Sequence, residues 1–563
     1  MKKSILLFSL FIFSFSLCEG QSWMWGREGT SFYDGYGISA DNKGNSYLAG
    51  EFSDTMSFGN YHLHTKYWNA FLVKYDSNGN VKWATQTNSA SSLSYCLGIL
   101  SAPDKGGNVY VVGDVGDTVL FGNDTIKQPL NSYNAFLAKY DSNGNFIWVR
   151  KSNGIGSIGA SSGEGIATDD SGNVYIAGNF FGVTPFGSDT LKTIDTVAGD
   201  IFIVKYDKNG NQLWVAKSTN AKDADITLNS LTVDDSGKVY ITGYFNNQIS
   251  FGSLNLNDAT QEVFLVKYDR NGNPIWAKQS GGYDMMSSAE SYGITTDEAG
   301  SVYITGLFEN SIYFDSTLLH CGYNSNIFLV KYDKNGQLIW AKQSQSSIGN
   351  VYYGGYSLSS DKYCHIYFSG GGPYKQAYNV IFCGVTFSGY STSDISIVMQ
   401  LDTSGKALCS SIIGTGGDDN NTIACSESGR YVYLGGDIYD TITFGEDFLT
   451  VPVNSENPFV ARWQPCVISR DAGVNSYKKS ENYFSLFPNP STGTFTLQTV
   501  GTQNFASATI EIYNVLGERV KSEELSAKSE EIDLTNQPSG IYFYRVLNEN
   551  GSVLGSGKVI IEK

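Results

Sequence analysis

The chain repeats itself, and the repeat limits what it can become. FLVKYDSNGNVKW at residues 71–83 returns as FLAKYDSNGNFIW from Phe136, FIVKYDKNGNQLW from Phe202, FLVKYDRNGNPIW from Phe264 and FLVKYDKNGQLIW from Phe328. A worn copy, IVMQLDTSGKALC, starts at Ile397, and a partial one, FVARW, at Phe459. The tyrosine position runs 75, 140, 206, 268, 332, then Leu401 and Trp463, a period of 62 to 69 residues. A second motif interleaves: GISADNKGNSYLAG at Gly37, GIATDDSGNVYIAG at Gly165, LTVDDSGKVYITG at Leu231 and GITTDEAGSVYITG at Gly293, with looser copies from Gly98, Ser357 and Ile423.

Each period carries four strand signals, such as SYGITT, SVYITG, FLVKYD and LIWAKQ. D-x-x-G or D-x-N-G joins them in pairs, because Asp accepts turn N–H groups and Gly tolerates a left-handed dihedral. Four antiparallel strands cannot bury both faces alone. Stacking such sheets around an axis solves that, and the expected all-β fold is a seven-bladed β-propeller. The chain ends agree. FVARW is a third strand with no fourth after it, and SWMWGREG from Ser22 is a fourth strand with no third before it. Trp25, Trp83, Trp148, Trp214, Trp276, Trp340 and the Cys409 position make seven fourth strands. The N-terminal strand is thus expected to close the ring, with residues 21–463 forming the propeller. The two motifs resemble the bacterial seven-bladed β-propeller repeat family over about four-fifths of the chain, which implies a fold and little chemistry.

After Trp463 the repeat stops. Residues 464–480 read as a polar linker, and residues 481–563 hold seven short strand signals, the pattern of a small immunoglobulin-like β-sandwich. Phe487-Pro488-Asn489-Pro490 with Gly493, Tyr513-Asn514 with Gly517, Asp533-Leu534, Ser539-Gly540-Ile541-Tyr542 and Lys558 resemble the type A C-terminal sorting domain of the type IX secretion system of Bacteroidota. That resemblance implies recognition by the secretion machinery at the outer membrane. It also implies removal near the linker, then release or attachment to surface lipopolysaccharide. A generic adhesion module is the plainer alternative.

Residues 1–20 read as a signal peptide: Lys2 and Lys3, a thirteen-residue apolar run to Leu17, and cleavage before Gln21. Leu17 before Cys18 argues against a lipoprotein. No other apolar run reaches the length of a membrane span. The net charge of −17 argues against nucleic-acid and anionic-membrane partners. Export permits disulfides among Cys96, Cys321, Cys364, Cys383, Cys409, Cys425 and Cys466, whose odd number leaves at least one without an intrachain partner.

Chemistry is harder to find. The Trp stripe reads as packing between sheets. The D-x-N-G turns lack the further carboxylates of a calcium loop, and neither sialidase nor quinoprotein turn spacing fits. Lys74, Lys139, Lys205, Lys267 and Lys331 read as solvated or salt-bridged. His62 and His64 form a weak metal pair, so no metal and no cofactor is expected. The balance leans against an enzyme. The expected role is a secreted or surface-attached binding or adhesion module for an extracellular glycan or protein. A carboxylate-based hydrolase or lyase on the same scaffold is the alternative, favoured by two acids converging on one pocket. Tyr33, Tyr283, Tyr352 and Tyr353 are the candidate ligand-binding residues. They sit in fourth-to-first-strand connections where the repeat does not demand an aromatic ring, although tyrosines there can also simply fill the channel.

Overall fold

The structure is a computed structural model. It describes residues 22–29, 35–129, 132–154, 159–194, 199–221, 224–346, 353–372, 377–390, 395–414, 421–438, 442–444, 447–451, 456–466, 484–499, 508–515, 518–525, 529–547 and 553–563. The expected leader and nearly all of the expected linker lie outside these. All elements among the described residues are strands, in two compact units, Met1–Val467 and Ile468–Lys563. No helix among the described residues is long and apolar enough to cross a membrane.

In the first unit the repeat becomes seven four-stranded antiparallel sets. The first is Gly35–Ala40, Ser46–Phe52, Asn69–Tyr75 and Val81–Gln86, paired in chain order, and the next five follow the same order. The seventh is Thr422–Cys425, Val432–Ile438 and Asn457–Gln464, with Ser22–Glu28 as its fourth strand. There Trp23 pairs with Trp463 and Glu28 with Phe459. Each first strand packs against the first strand of the next set, and Thr422–Cys425 packs back on Gly35–Ala40.

Polar ties join each set to the next. The turn aspartate binds the tyrosine that opens the second strand: Tyr47 donates to Asp41 at 3.1 Å, Tyr175 to Asp169 at 3.0 Å and Tyr303 to Asp297 at 2.9 Å. Over that ring lies the third-strand lysine, 4.7 to 5.1 Å from the centroid in five sets. Lys139 then donates to the Lys208 carbonyl, and Lys267 to the Lys334 carbonyl, both at 2.7 Å in the next set's turn. Of the expected solvated or salt-bridged positions, the solvated half is therefore corrected, while Lys205 and Lys331 are salt-bridged. All five are buried, because the neighbouring set covers what would be an open face on a lone sheet. Burial pushes the ammonium pKa of Lys74, Lys139 and Lys267 down. Lys205 and Lys331 also pair with Asp169 and Asp297, at 3.6 and 3.4 Å.

A third recurring motif escaped the sequence reading. Phe58, Phe121, Phe186, Phe251, Phe314, Phe382 and Phe444 are all buried. The residue after each of the first six (Gly59, Gly122, Gly187, Gly252, Asp315 and Cys383) has positive φ. This is the turn of a hairpin between second and third strands, separate in Thr55–Phe58 with Tyr61–His64, and continuous with its neighbours in Val239–Phe251 with Leu254–Tyr268.

Among its described residues the second unit has a three-stranded and a four-stranded sheet, matching the seven strand signals of the sequence. Phe495, Leu497 and Ile532 of one sheet meet Ile510, Ile512 and Tyr544 of the other in a single core.

Where third strands open, a buried polar side chain ties to the end of the fourth. Thr87 donates to Asn69 Oδ1 at 3.0 Å and Ser152 to Asn134 Oδ1 at 2.8 Å. Two sets use acids instead. Burial pushes Asp200 up to about 6 and Glu262 to about 7, against hydrogen bonds from Asn220 N–H and Ser280. A carboxyl with a raised folded pKa favours folding at low pH, and that advantage is lost as pH rises through the folded value. Each shift corresponds to about 3 kcal/mol at the pKa conversion of 1.36 kcal/mol per unit. The urea stability of the first unit should therefore fall between pH 4.5 and pH 8. Asp200→Asn with Glu262→Gln should flatten that slope, and an equal slope in the double variant would refute the assignment.

Candidate functional site

Two ends of the strand sets present different chemistry. At one end lie the turns between first and second strands. Their second residues are Asn42, Lys105, Asp170, Asp235, Glu298, Lys362 and Glu427. Six of the seven line a cavity of about 260 Å³, and Asn42 lines an adjoining one of about 420 Å³. Lys105 reaches across to Asp170 at 2.8 Å and Glu427 at 3.3 Å. Burial, then the Asp170 charge, raises the Asp235 carboxyl, with Lys105 opposing. The collar is predominantly acidic and narrow.

At the other end, the first strands bulge. Between Gly163 and Gly165 the register slips, and Glu164 is left unpaired by the ladder. Ile99, Asn229, Tyr292 and Tyr356 occupy the same place in other sets. The bulge drives a carbonyl onto the second strand, which explains its recurring glycine. A Cβ at Gly178 would lie 1.7 Å from the Ser162 carbonyl oxygen. The bulge position is consequently free to vary. The Tyr292 and Tyr356 rings meet at a tilt, with centroids 5.8 Å apart. Tyr292 also donates to Glu290, which accepts from Gln261 Nε2 at 2.7 Å. The Asp114 carboxylate accepts from Gly163 N at 3.0 Å, which brings it beside Glu164. Burial first, then the Glu164 charge, holds Asp114 well above the usual carboxylate range. Burial raises Glu164, with Ser162 opposing.

On this same end run the connections from fourth to first strands. Tyr33 and Tyr352 lie outside the described residues. Tyr283 is 63% exposed and its ring sits 6.1 Å from that of Tyr313. The loop is braced. Asp284 accepts from Asn310 Nδ2 at 3.0 Å and Met286 N at 2.9 Å. That bracing leaves Met285 and Met286 at 80% and 68% exposure. The equivalent loop after the first set is braced by Ser91 and Ser94 donating to Asp117, and it displays Leu93. Tyr353 is a correction: at 1% exposure it packs with Ile327, Leu329 and Phe368 and is core, not surface. Its position between strands misled, because the ring itself is covered by the neighbouring strands. His62 and His64 are exposed on one face of the first hairpin, each bonded to a cross-strand hydroxyl, Ser57 at 2.8 Å and Thr55 at 3.1 Å. No group of three metal-ligating side chains occurs among the described residues.

In the second unit, Asn489 between Pro488 and Pro490 clips the last strand. Its Nδ2 donates to the Lys558 carbonyl and its Oδ1 accepts from Ile560 N, both at 2.8 Å. Gly493 has φ +119, and a Cβ there would meet the Thr535 backbone at 2.9 Å. Tyr542 donates to the Pro538 carbonyl at 2.8 Å. Nothing crowds Gly540, and Gly517 lies outside the described residues. Ile541 and Phe543 point outward from the same strand, 45% and 50% exposed.

Residues 485–562 match a family model described as a secretion system C-terminal sorting domain. The chain is exported by the type IX system and is secreted or attached at the cell surface. An uncharacterized WD repeat-containing protein of Acanthamoeba polyphaga mimivirus is 25% identical over 343 residues, 49% of this chain and 24% of that protein. The chain thus spans about a quarter of that relative's length. A fungal alcohol oxidase in complex with copper is similar at TM-score 0.33, with 11% identity over 96% of this chain and 100% of that one. PorZ, a surface component of the type IX secretion system of Porphyromonas gingivalis, is similar at TM-score 0.28, with 11% identity over 94% of this chain and 75% of that one.

The two tyrosines separate surface from core. Tyr353→Ala should cost about 3–5 kcal/mol of stability, as large-to-small changes in cores do. Tyr283→Ala should stay within about 0.5 kcal/mol. Urea unfolding of both variants decides, and equal effects would reverse the assignment.

Proposed function

We propose that residues 21–463 form a seven-bladed β-propeller closed by the N-terminal strand, and that it works outside the cell as a binding module. Seven four-stranded sets, their closed succession of first strands and the Ser22–Glu28 pairing support the fold. The observation that carries the binding role is the loop at residues 283–287. Tyr283, Met285 and Met286 hold exposed apolar surface on a braced backbone. Apolar side chains grouped this way mark interaction sites more than they serve the fold. The partner is an extracellular glycan or protein meeting the loop end of the propeller.

The test uses the full chain with Tyr283→Ala, Met285→Ser and Met286→Ser combined. Arrays of extracellular polysaccharides and matrix proteins should give hits with the parent that fall at least tenfold in the variant, with circular dichroism unchanged. Hits of equal strength in both would place the surface elsewhere, and no hits at all would count against binding.

A second reading has its own support. Asp114 and Glu164 are adjacent acids with raised pKa, the arrangement that acid–base cleavage or elimination needs. Their link through the Gly163 N–H equally serves to fasten one set to the next, so this reading ranks second.

We further propose that residues 481–563 are an export signal removed on arrival, with residues 464–480 as the linker. Mass spectrometry of the extracellular form should find no peptide beyond about residue 481. An intact extracellular chain ending at Lys563 would contradict removal.

A further inference from the structure

Six fourth strands carry a tryptophan whose indole meets the following set's turn. Trp25 donates to the Ser77 carbonyl at 3.0 Å, Trp83 to Ser142 at 3.0 Å, Trp214 to Arg270 at 3.0 Å, Trp276 to Lys334 at 3.3 Å and Trp340 to Thr403 at 3.2 Å. Trp148 lies under the next turn too, since a Cβ at Gly210 would be 3.0 Å from its ring. The exception is Ala407–Gly414, where Cys409 stands at the tryptophan position. The set that follows is also exceptional. Its fourth strand comes from the N-terminus, so no turn leads out of Asn457–Gln464. Where that turn would begin stand Pro465 and Cys466.

Both halves of the tie have thus changed together. The Cys466 N–H donates to Cys409 Sγ at 2.9 Å, and the Cys466 thiol donates to the Leu408 carbonyl at 3.5 Å. Cys409 and Cys466 are 7% and 3% exposed. One sulfur touches its partner's backbone nitrogen, and the other touches the carbonyl just before its partner. Each sulfur therefore lies against the backbone at the other cysteine, the neighbourhood in which a disulfide can form.

We propose that Cys409 and Cys466 form a disulfide in the exported protein. The route out of the cell passes through an oxidising envelope, where such bonds form and persist. Two thiols lose two protons and two electrons to make one S–S bond. The electrons pass to the disulfide of an envelope thiol oxidant, which leaves as a dithiol, by thiolate attack through a mixed disulfide. Exchange takes place before the last strand is covered, while both sulfurs are accessible. The bond replaces the indole-to-turn tie at the one junction where the turn is cut. It also pins the chain where it departs toward the sorting domain, so removing that domain leaves a covalently held end. Cys96, Cys321, Cys364, Cys383 and Cys425 stay reduced.

The experiment folds the purified full chain with oxidised glutathione, then denatures it without reductant, alkylates it, digests it and maps it by mass spectrometry. The expected result is one linked peptide pair, Cys409 with Cys466, and alkylation at Cys96, Cys321, Cys364, Cys383 and Cys425. In Cys409→Ser, Cys466 should become alkylated, and the converse should hold in Cys466→Ser. Full alkylation of Cys409 and Cys466 in the parent, or a link between any other pair, overturns the proposal. The parent map decides alone should either variant fail to accumulate.

Discussion

A lysine that gives up water on one side of a sheet, and finds its replacement on the next sheet, is the interaction on which this architecture turns. Lys139 and Lys267 sit over the tyrosines of their own second strands, 4.9 Å from each ring, and hand their protons' hydrogen bonds to the next turn. An unpaired buried ammonium is costly, and burial does lower these pKa values. A desolvated cation over an aromatic face returns about 2 kcal/mol, and a hydrogen bond to a charged group about 1.5–3. Neither gain is complete in an isolated set. One set therefore has little reason to fold without the next, and a linear stack would leave its last lysine with no carbonyl to reach.

The seam shows how that end problem is solved. Arg462 takes the lysine's place in the last set and donates to the Ser77 carbonyl of the first at 2.8 Å, while stacking over Tyr431 at 4.8 Å. Tyr433 donates to the Gly44 carbonyl, as Tyr110 does to Gly172 and Tyr367 to Gly429 between consecutive sets. Trp25 reaches Ser77 beside it. Two of these tie types, which elsewhere run forward through the sequence, thus run backward across nearly four hundred residues, from last set to first, and the third comes from the N-terminal strand that completes the last set. The longer guanidinium suits a junction where the sheet edge is built from two distant segments. Arg27 reinforces it with Asp447 at 2.7 Å.

Much of this frame was legible in the sequence because it repeats. The tryptophans, the D-x-x-G turns and the two-strand pairing rules announce themselves every period, and the N-terminal strand could be placed by subtraction. What misled was the assumption that a polar residue alternating with apolar ones faces water. That holds for a sheet with one open face, and these sheets have none near the lysines. The Phe-Gly turns were overlooked because short hairpins hide within a connection already counted as loop. Tyr353 and Tyr283 look alike as unrepeated aromatics between strands. Only the packing around each ring, core for Tyr353 and a braced exposed loop for Tyr283, tells them apart. The export unit was legible for the opposite reason. Its Asn489 clip and its Gly493 backbone demand particular residues at spaced positions, and so leave a signature.

Function has room to reside where no tie fixes the side chain. Positions that join one set to the next cannot change without breaking a tie, so they recur: Tyr, Lys, Trp, Asp, and the glycine under the bulge. The bulge residue is skipped by the register of the ladder, and it reads Ile99, Glu164, Asn229, Tyr292 and Tyr356 in successive sets. The loop before the bulged strand is equally unconstrained. It reads Leu93 in one place, braced by Asp117 of the facing hairpin, and Met285-Met286 in another, braced by the loop's own Asp284. A scaffold that holds its geometry by invariant ties can present a different side chain from each set at one end without cost to folding. That end, rather than the acidic collar whose Lys105 is already engaged by Asp170 and Glu427, is where a ligand would find unmatched apolar surface to cover.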